Sequence, residues 1–184
     1  MARNLVANID DLGSYRSSEI KEVVKDAFKE PRRILINQIH QSGKLCFVIS
    51  YRHINSQELH EYDFQTRSNN IRGSYFEIWN QDGRDNYYLS KAYLHLHRVD
   101  KEYIAGKPGG EYILLHCDPN DNDDHGDYKR SPHLHFENAG FPINKAHIAL
   151  NMSNINQILA SRDELNIALK AAVLMLNKQI LERL

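Results

Sequence analysis

Cysteine is scarce: the 184 residues hold two, Cys46 and Cys117, far apart in the chain. A disulfide framework is therefore excluded as the source of stability, and each is expected as a small buried hydrophobe. No apolar run approaches the ~20 residues that span a bilayer. The start, MARNLVANIDDLG, carries no apolar stretch of the secretory kind, so a cytoplasmic location is the expectation. An excess of charge of one sign is missing too. Lys and Arg total 23 against 24 Asp and Glu, a net charge of −1, which leaves no excess positive stripe for a broad nucleic-acid footprint. There is no G-x-S-x-G, no glycine-rich phosphate loop and no C-x-x-C pair, which removes the common serine-hydrolase, nucleoside-triphosphatase and zinc-ribbon readings. Internal repeats, low-complexity tracts and linkers are also missing, so residues 1–184 read as a single domain.

Histidine is abundant. Ten are present, and seven of them fall between His95 and His147.

Apolar periodicity sets the expected elements. Ile20, Val23, Val24, Ala27 and Phe28 follow one helical face, with Ser17 as N-cap and Pro31 as stop. From Arg33 to Arg98 the period shortens to two, in RILINQIH, KLCFVISYR, LHEYDF, SYFEIW and YYLSKAYLHLHRV. Ser42-Gly43, Asn69-Asn70 and Asp82-Gly83 supply the turns of an antiparallel meander. EYILLHCD, SPHLHFEN and KAHIALN add three short strands. A short helix near 154–159 precedes a longer one, where Ser161 and Glu164 match a capping box and Leu165, Ala168, Leu169, Ala172, Val173, Leu176 and Ile180 form a stripe. The fold class is α+β: a mostly antiparallel sheet with the N-terminal helix and the C-terminal helices packed on one face.

Successive strand side chains alternate between faces, so the histidines can be assigned a side. Tyr93, His95 and His97 oppose Leu94 and Leu96; Tyr112, His116 and Asp118 oppose Ile113, Leu115 and Cys117. His133, His135 and Glu137 oppose Leu134 and Phe136, and His147 opposes Ile148. If these segments are neighbours, six imidazoles share the face turned away from the aliphatic core. Solvation alone selects Thr, Lys, Glu and Arg on such a face, whereas histidine exchanges protons near neutral pH and binds metals. His40, His53, His60 and His125 carry no functional reading.

The first chemistry such a face suggests is a hydrolase cleaving phosphodiesters, RNA or a nucleotide, by imidazole acid–base catalysis. His95, His97, His133 and His135 are the candidate catalytic residues. Lys129 and Arg130, immediately before them in sequence, would clamp a phosphate, with Tyr93 as a further substrate contact.

The second chemistry is one divalent transition metal held by imidazoles drawn from His95, His97, His116 and His135. His95-x-His97, Glu102 and Gly109 resemble the first motif of the cupins, and Gly126 with Pro132 part of the second, which implies a metal-dependent enzyme. Leu89 and Leu134 stand where those motifs have glycine, and His135 is out of step with the last histidine. The acidic loop fails as an EF-hand: with Asp121 first, position twelve is Pro132. Its place before the histidines suits a lid. Cys117 cannot use His116 as a base, because adjacent strand residues face opposite ways.

The segment PHLHF is similar to the histidine-rich stretch of the TumE-like bacterial ribonuclease toxins, which implies RNA as substrate. A third, non-enzymatic reading comes from the last helix: Leu174, Met175 and Leu181 beside its stripe offer surface for a homodimer or a protein partner.

Overall fold

Apart from LHEYDF, the alternating runs pair in the order in which they occur. The computed structural model describes residues 5–54, 63–99, 111–120, 127–137, 145–150 and 155–183. Its strands are β1 (Val6–Asn8), β2 (Leu35–Gln41), β3 (Lys44–Ser50), β4 (Phe64–Gln65), β5 (Ile71–Asp82), β6 (Asn86–Arg98), β7 (Glu111–Cys117), β8 (His133–Glu137) and β9 (Lys145–Ala149). They form a mostly antiparallel sheet of order β2-β3-β5-β6-β7-β8-β9, with β1 added to β6 and β4 to β5. Ser42 and Gly43 both take positive φ, 42° and 76°, the left-handed backbone that a two-residue hairpin between β2 and β3 requires. Most of LHEYDF lies outside the described residues, and its end forms β4. There the Phe64 ring covers Gly73 of β5, where any side chain would collide with it.

The N-terminal helical path begins before the expected Ser17. Asn8 caps it, accepting from the Asp10 N–H at 2.9 Å. The path runs through α1 (Ile9–Asp11), a wide π-type turn (Leu12–Arg16) and α2 (Ser17–Val24), then tightens over Lys25–Ala27. Phe28 is already extended, so the stop precedes Pro31, which opens a separate short turn. Scoring the apolar stripe from Ile20 missed the earlier start, because the buried side chains of the preceding turn, Leu12 and Arg16, include a charged one. At the other end of the chain α3 (Ile155–Ile158) leads to α4 (Arg162–Leu176), and the Ser161 hydroxyl accepts from the Glu164 N–H at 3.2 Å as the capping box predicts.

Both helical ends cover the same sheet face. Ile20, Val23 and Val24 of α2 and Leu165, Leu169 and Val173 of α4 pack on Leu45, Phe47, Trp79 and Leu94. Within this core lies a buried ion pair. Arg16 Nε donates to Glu77 Oε2 at 2.8 Å, while its Nη2 meets Oε1 and its Nη1 reaches Glu19 and Asn166. Tyr75 and Trp79 donate to the same Glu77 carboxylate, at 3.0 and 3.1 Å. Cys117 is buried in this core as a free thiol, its pKa raised by burial.

The opposite face changes character across the sheet. On β2, β3 and β5 it is apolar, with Ile39, Cys46 and Val48 backed by Phe76 and Ile78. From β6 onward it carries the histidines. Among the described residues no helix is long and apolar enough to cross a membrane. Of the side chains expected to offer surface on the last helix, Leu181 is buried, Met175 packs partly against the core, and Leu174 is 44% exposed.

Candidate histidine site

Sheet register brings the expected side chains to one face. Tyr93 of β6 stands opposite His116 of β7, His116 opposite His133 of β8, and His135 of β8 opposite His147 of β9. Strands in a sheet lie about 4.8 Å apart, so rings on facing residues must meet. Tyr93 stacks on His116 with centroids 4.0 Å apart at 15°. His116 and His135 are 4.3 Å apart, His133 and His135 4.9 Å, and His135 stacks on His147 at 3.7 Å. His95 lies 5.5 Å from His116 and meets Phe76 edge-on at 5.7 Å, at the border with the apolar patch. Leu114, buried on the same face, stands between His95 and His135 in register.

Not every expected member joins the centre. His97 follows a register irregularity after Leu96, and its Nε2 lies 3.4 Å from Asp63 Oδ2. Among the described residues, the donor atoms that converge belong to His116, His133 and His135, all within 4.8 Å of one another. Glu102, Gly109 and the loop containing Asp121, His125 and Gly126 lie outside the described residues, as do the side chains of Tyr112 and Glu137. The lid expectation falls there too. The single meander also differs from the two-sheet jelly roll of cupins.

Burial distinguishes this face from a merely solvated one. His95, His97, His133 and Asp118 are all buried, and the His116 side chain is 13% exposed. Burial, followed by the neighbouring imidazoles His135, His95 and His133, lowers the His116 pKa from the ordinary 6.5 to about 2. Burial, then His147, His133 and Lys129, lowers His135 to about 3. Both rings are therefore neutral at physiological pH and keep a lone pair.

Hydrogen bonds fix where the lone pair of His133 points. His133 Nδ1 lies 3.0 Å from the Ser131 carbonyl, which can only accept, so Nδ1 carries the proton and Nε2 is bare. That Nε2 accepts at 3.0 Å from His135 Nε2, which carries the ring proton in the metal-free chain. His116 Nε2 is buried without a hydrogen-bond partner, while its Nδ1 lies 3.9 Å from Asp118 Oδ2. Asp118 Oδ1 accepts from the Tyr93 hydroxyl at 2.6 Å.

Lys129 and Arg130 end a short 3₁₀ turn, Asp127–Arg130. Two bonds tie that turn to the end of β7: the Asp118 N–H donates to the Lys129 carbonyl at 3.1 Å, and the Cys117 thiol to the Arg130 carbonyl at 3.5 Å. The Lys129 charge is close enough to disfavour protonation of His135. Asp118 was legible as a residue of this face but not as a member of the site. The contribution of the Ser131 carbonyl has no side-chain signal at all.

No protein-family model matches the chain, and neither a curated protein nor a solved structure matches it.

Proposed function

We propose that the histidine face is the centre of a divalent-metal-dependent hydrolase acting on phosphodiesters, either RNA or a nucleotide. His116, His133 and His135 are its three protein ligands. One observation carries the reading: three imidazole donor atoms from two adjacent strands lie within 4.8 Å. The 3.0 Å separation of the His133 and His135 Nε2 atoms is close to the ~3.0–3.4 Å between two ligands of one ion with metal–nitrogen bonds of about 2.0–2.1 Å. The unpartnered His116 Nε2 supports the same centre.

Plain acid–base catalysis by these rings fits less well. It needs one protonated imidazole near neutral pH, and His116 and His135 are held neutral. Neutrality suits a ligand. His116, His133 and His135 would hold the metal and leave a position open to water, and the metal would supply activation of that water and polarisation of a phosphoryl oxygen. Water adds to phosphorus, the P–O ester bond breaks, and the leaving oxygen takes up the proton that the water releases. Lys129 and Arg130, on a turn anchored beside the ligands, hold the negatively charged phosphate.

Elemental analysis of purified protein is expected to give close to one transition metal per chain. Hydrolysis of RNA or bis(p-nitrophenyl) phosphate is expected to stop on chelation and return with zinc or cobalt. His135→Ala should lower zinc affinity at least ~100-fold while leaving the chain folded. Metal-free protein that cleaves RNA in excess chelator returns the reaction to acid–base catalysis, with His95 and His97 again among the candidates.

A further inference from the structure

Resting on the metal reading above, we infer that Asp118 and Tyr93 form a positioning pair that sets the proton of His116 on Nδ1 and leaves Nε2 bare for the metal. Neither residue is one of the three converging ligands, so the role is exercised through His116. The Tyr93 ring lies flat on the His116 imidazole, 4.0 Å between centroids at 15°, and limits how that ring can rotate. The Tyr93 hydroxyl reaches past it to Asp118 Oδ1 at 2.6 Å. A phenol can donate only one proton, so this bond orients the carboxylate and leaves Oδ2 turned to His116 Nδ1 at 3.9 Å. That distance exceeds a hydrogen bond, and the carboxylate acts through its field or through an intervening water. Either route favours an N–H dipole on Nδ1. A carboxylate behind a histidine ligand raises the basicity of the opposite nitrogen and fixes its direction. Tyr93 thus serves as a strut for the ligand shell, where the sequence alone suggests a substrate contact.

Asp118→Asn gives the inference a sign. Tyr93 still donates to the side-chain oxygen, which turns the amide N–H₂ toward His116 Nδ1. Nδ1 must then accept, the ring proton moves to Nε2, and the metal loses its lone pair. In the full chain stripped of metal at pH 7.5, long-range ¹H–¹⁵N spectra are expected to show His116 protonated on Nδ1 in the native protein and on Nε2 in Asp118→Asn. His133, held by Ser131, should not change in either. Zinc affinity should fall about 10- to 100-fold in Asp118→Asn. Tyr93→Phe keeps the ring and removes only the hydroxyl, so it carries the test if Asp118→Asn fails to fold; a smaller loss of affinity with a mixed His116 tautomer is expected. A native His116 protonated on Nε2 overturns the inference, as does unchanged zinc affinity in a folded Asp118→Asn or Tyr93→Phe. If zinc does not bind but the tautomers behave as described, the positioning pair stands and the metal-dependent hydrolase falls.

Discussion

One sheet carries a buried polar cluster on each face, and the two are built on opposite principles. Under the helices, Arg16 and Glu77 are of opposite charge, and Glu77 also receives Tyr75 and Trp79. Burial alone would depress the Arg16 pKa, yet the Glu77 carboxylate drives it above the ordinary value, so the guanidinium stays charged. On the other face His116, His133, His135 and His147 are like groups pressed together, with the Asp118 carboxylate 3.9 Å from His116 Nδ1, and burial with mutual repulsion keeps His116 and His135 neutral. The first cluster is complete without a ligand. The second leaves the buried His116 Nε2 without a partner, which a fold tolerates where a guest supplies what is missing.

The difference can be broken most severely at Glu77. Glu77→Ala takes from the buried Arg16 charge its principal partner, leaving Glu19 and Asn166, and is expected to cost about 3 kcal/mol, read as the shift in denaturant unfolding. Removing a histidine ligand should instead abolish metal binding with little loss of stability.

A milder probe is acid, applied to metal-free protein. Above pH 6.5 the folded and unfolded chains both carry His116 and His135 uncharged. Below it the unfolded chain takes up protons that the folded cluster refuses, so stability falls as pH drops from 6.5 toward about 3, where His135 begins to protonate in the folded state. His116 alone contributes a slope of at most about 1.4 kcal/mol per pH unit. Thermal unfolding between pH 7 and 4.5 should show the decline, and zinc should raise stability across that range without reducing the slope.

The smallest effect distinguishes the two tyrosines. Tyr75→Phe removes one donor to an otherwise well-partnered carboxylate and is expected to cost about 1 kcal/mol with zinc affinity unchanged. Tyr93→Phe should do the reverse. Equal effects of the two on metal binding would erase the contrast between the faces.

Much of this was legible in the alternation of side chains. Leu94 and Leu96 facing the core oblige His95 and His97 to face away, and the same parity places His116, His133, His135 and His147. Parity cannot say which of those rings meet. That depends on register between strands, which paired His116 with His133 and took His97 toward Asp63 past the irregularity after Leu96. Neither could periodicity find Arg16, a charged residue at a position that the helix buries, or the start of the helical path at Asn8. Local spacing does not encode a partner sixty-one residues away.

The position of His133 and His135 on β8 has one more consequence. A one-residue slip of that strand would turn both imidazoles into the aliphatic core and bring Leu134 and Phe136 out among His116 and His147. The misaligned chain would bury two polar rings without acceptors and would lose any ion that the correct alignment gathers. The same two side chains that make a chemical centre thereby also penalise the nearest wrong pairing of the sheet.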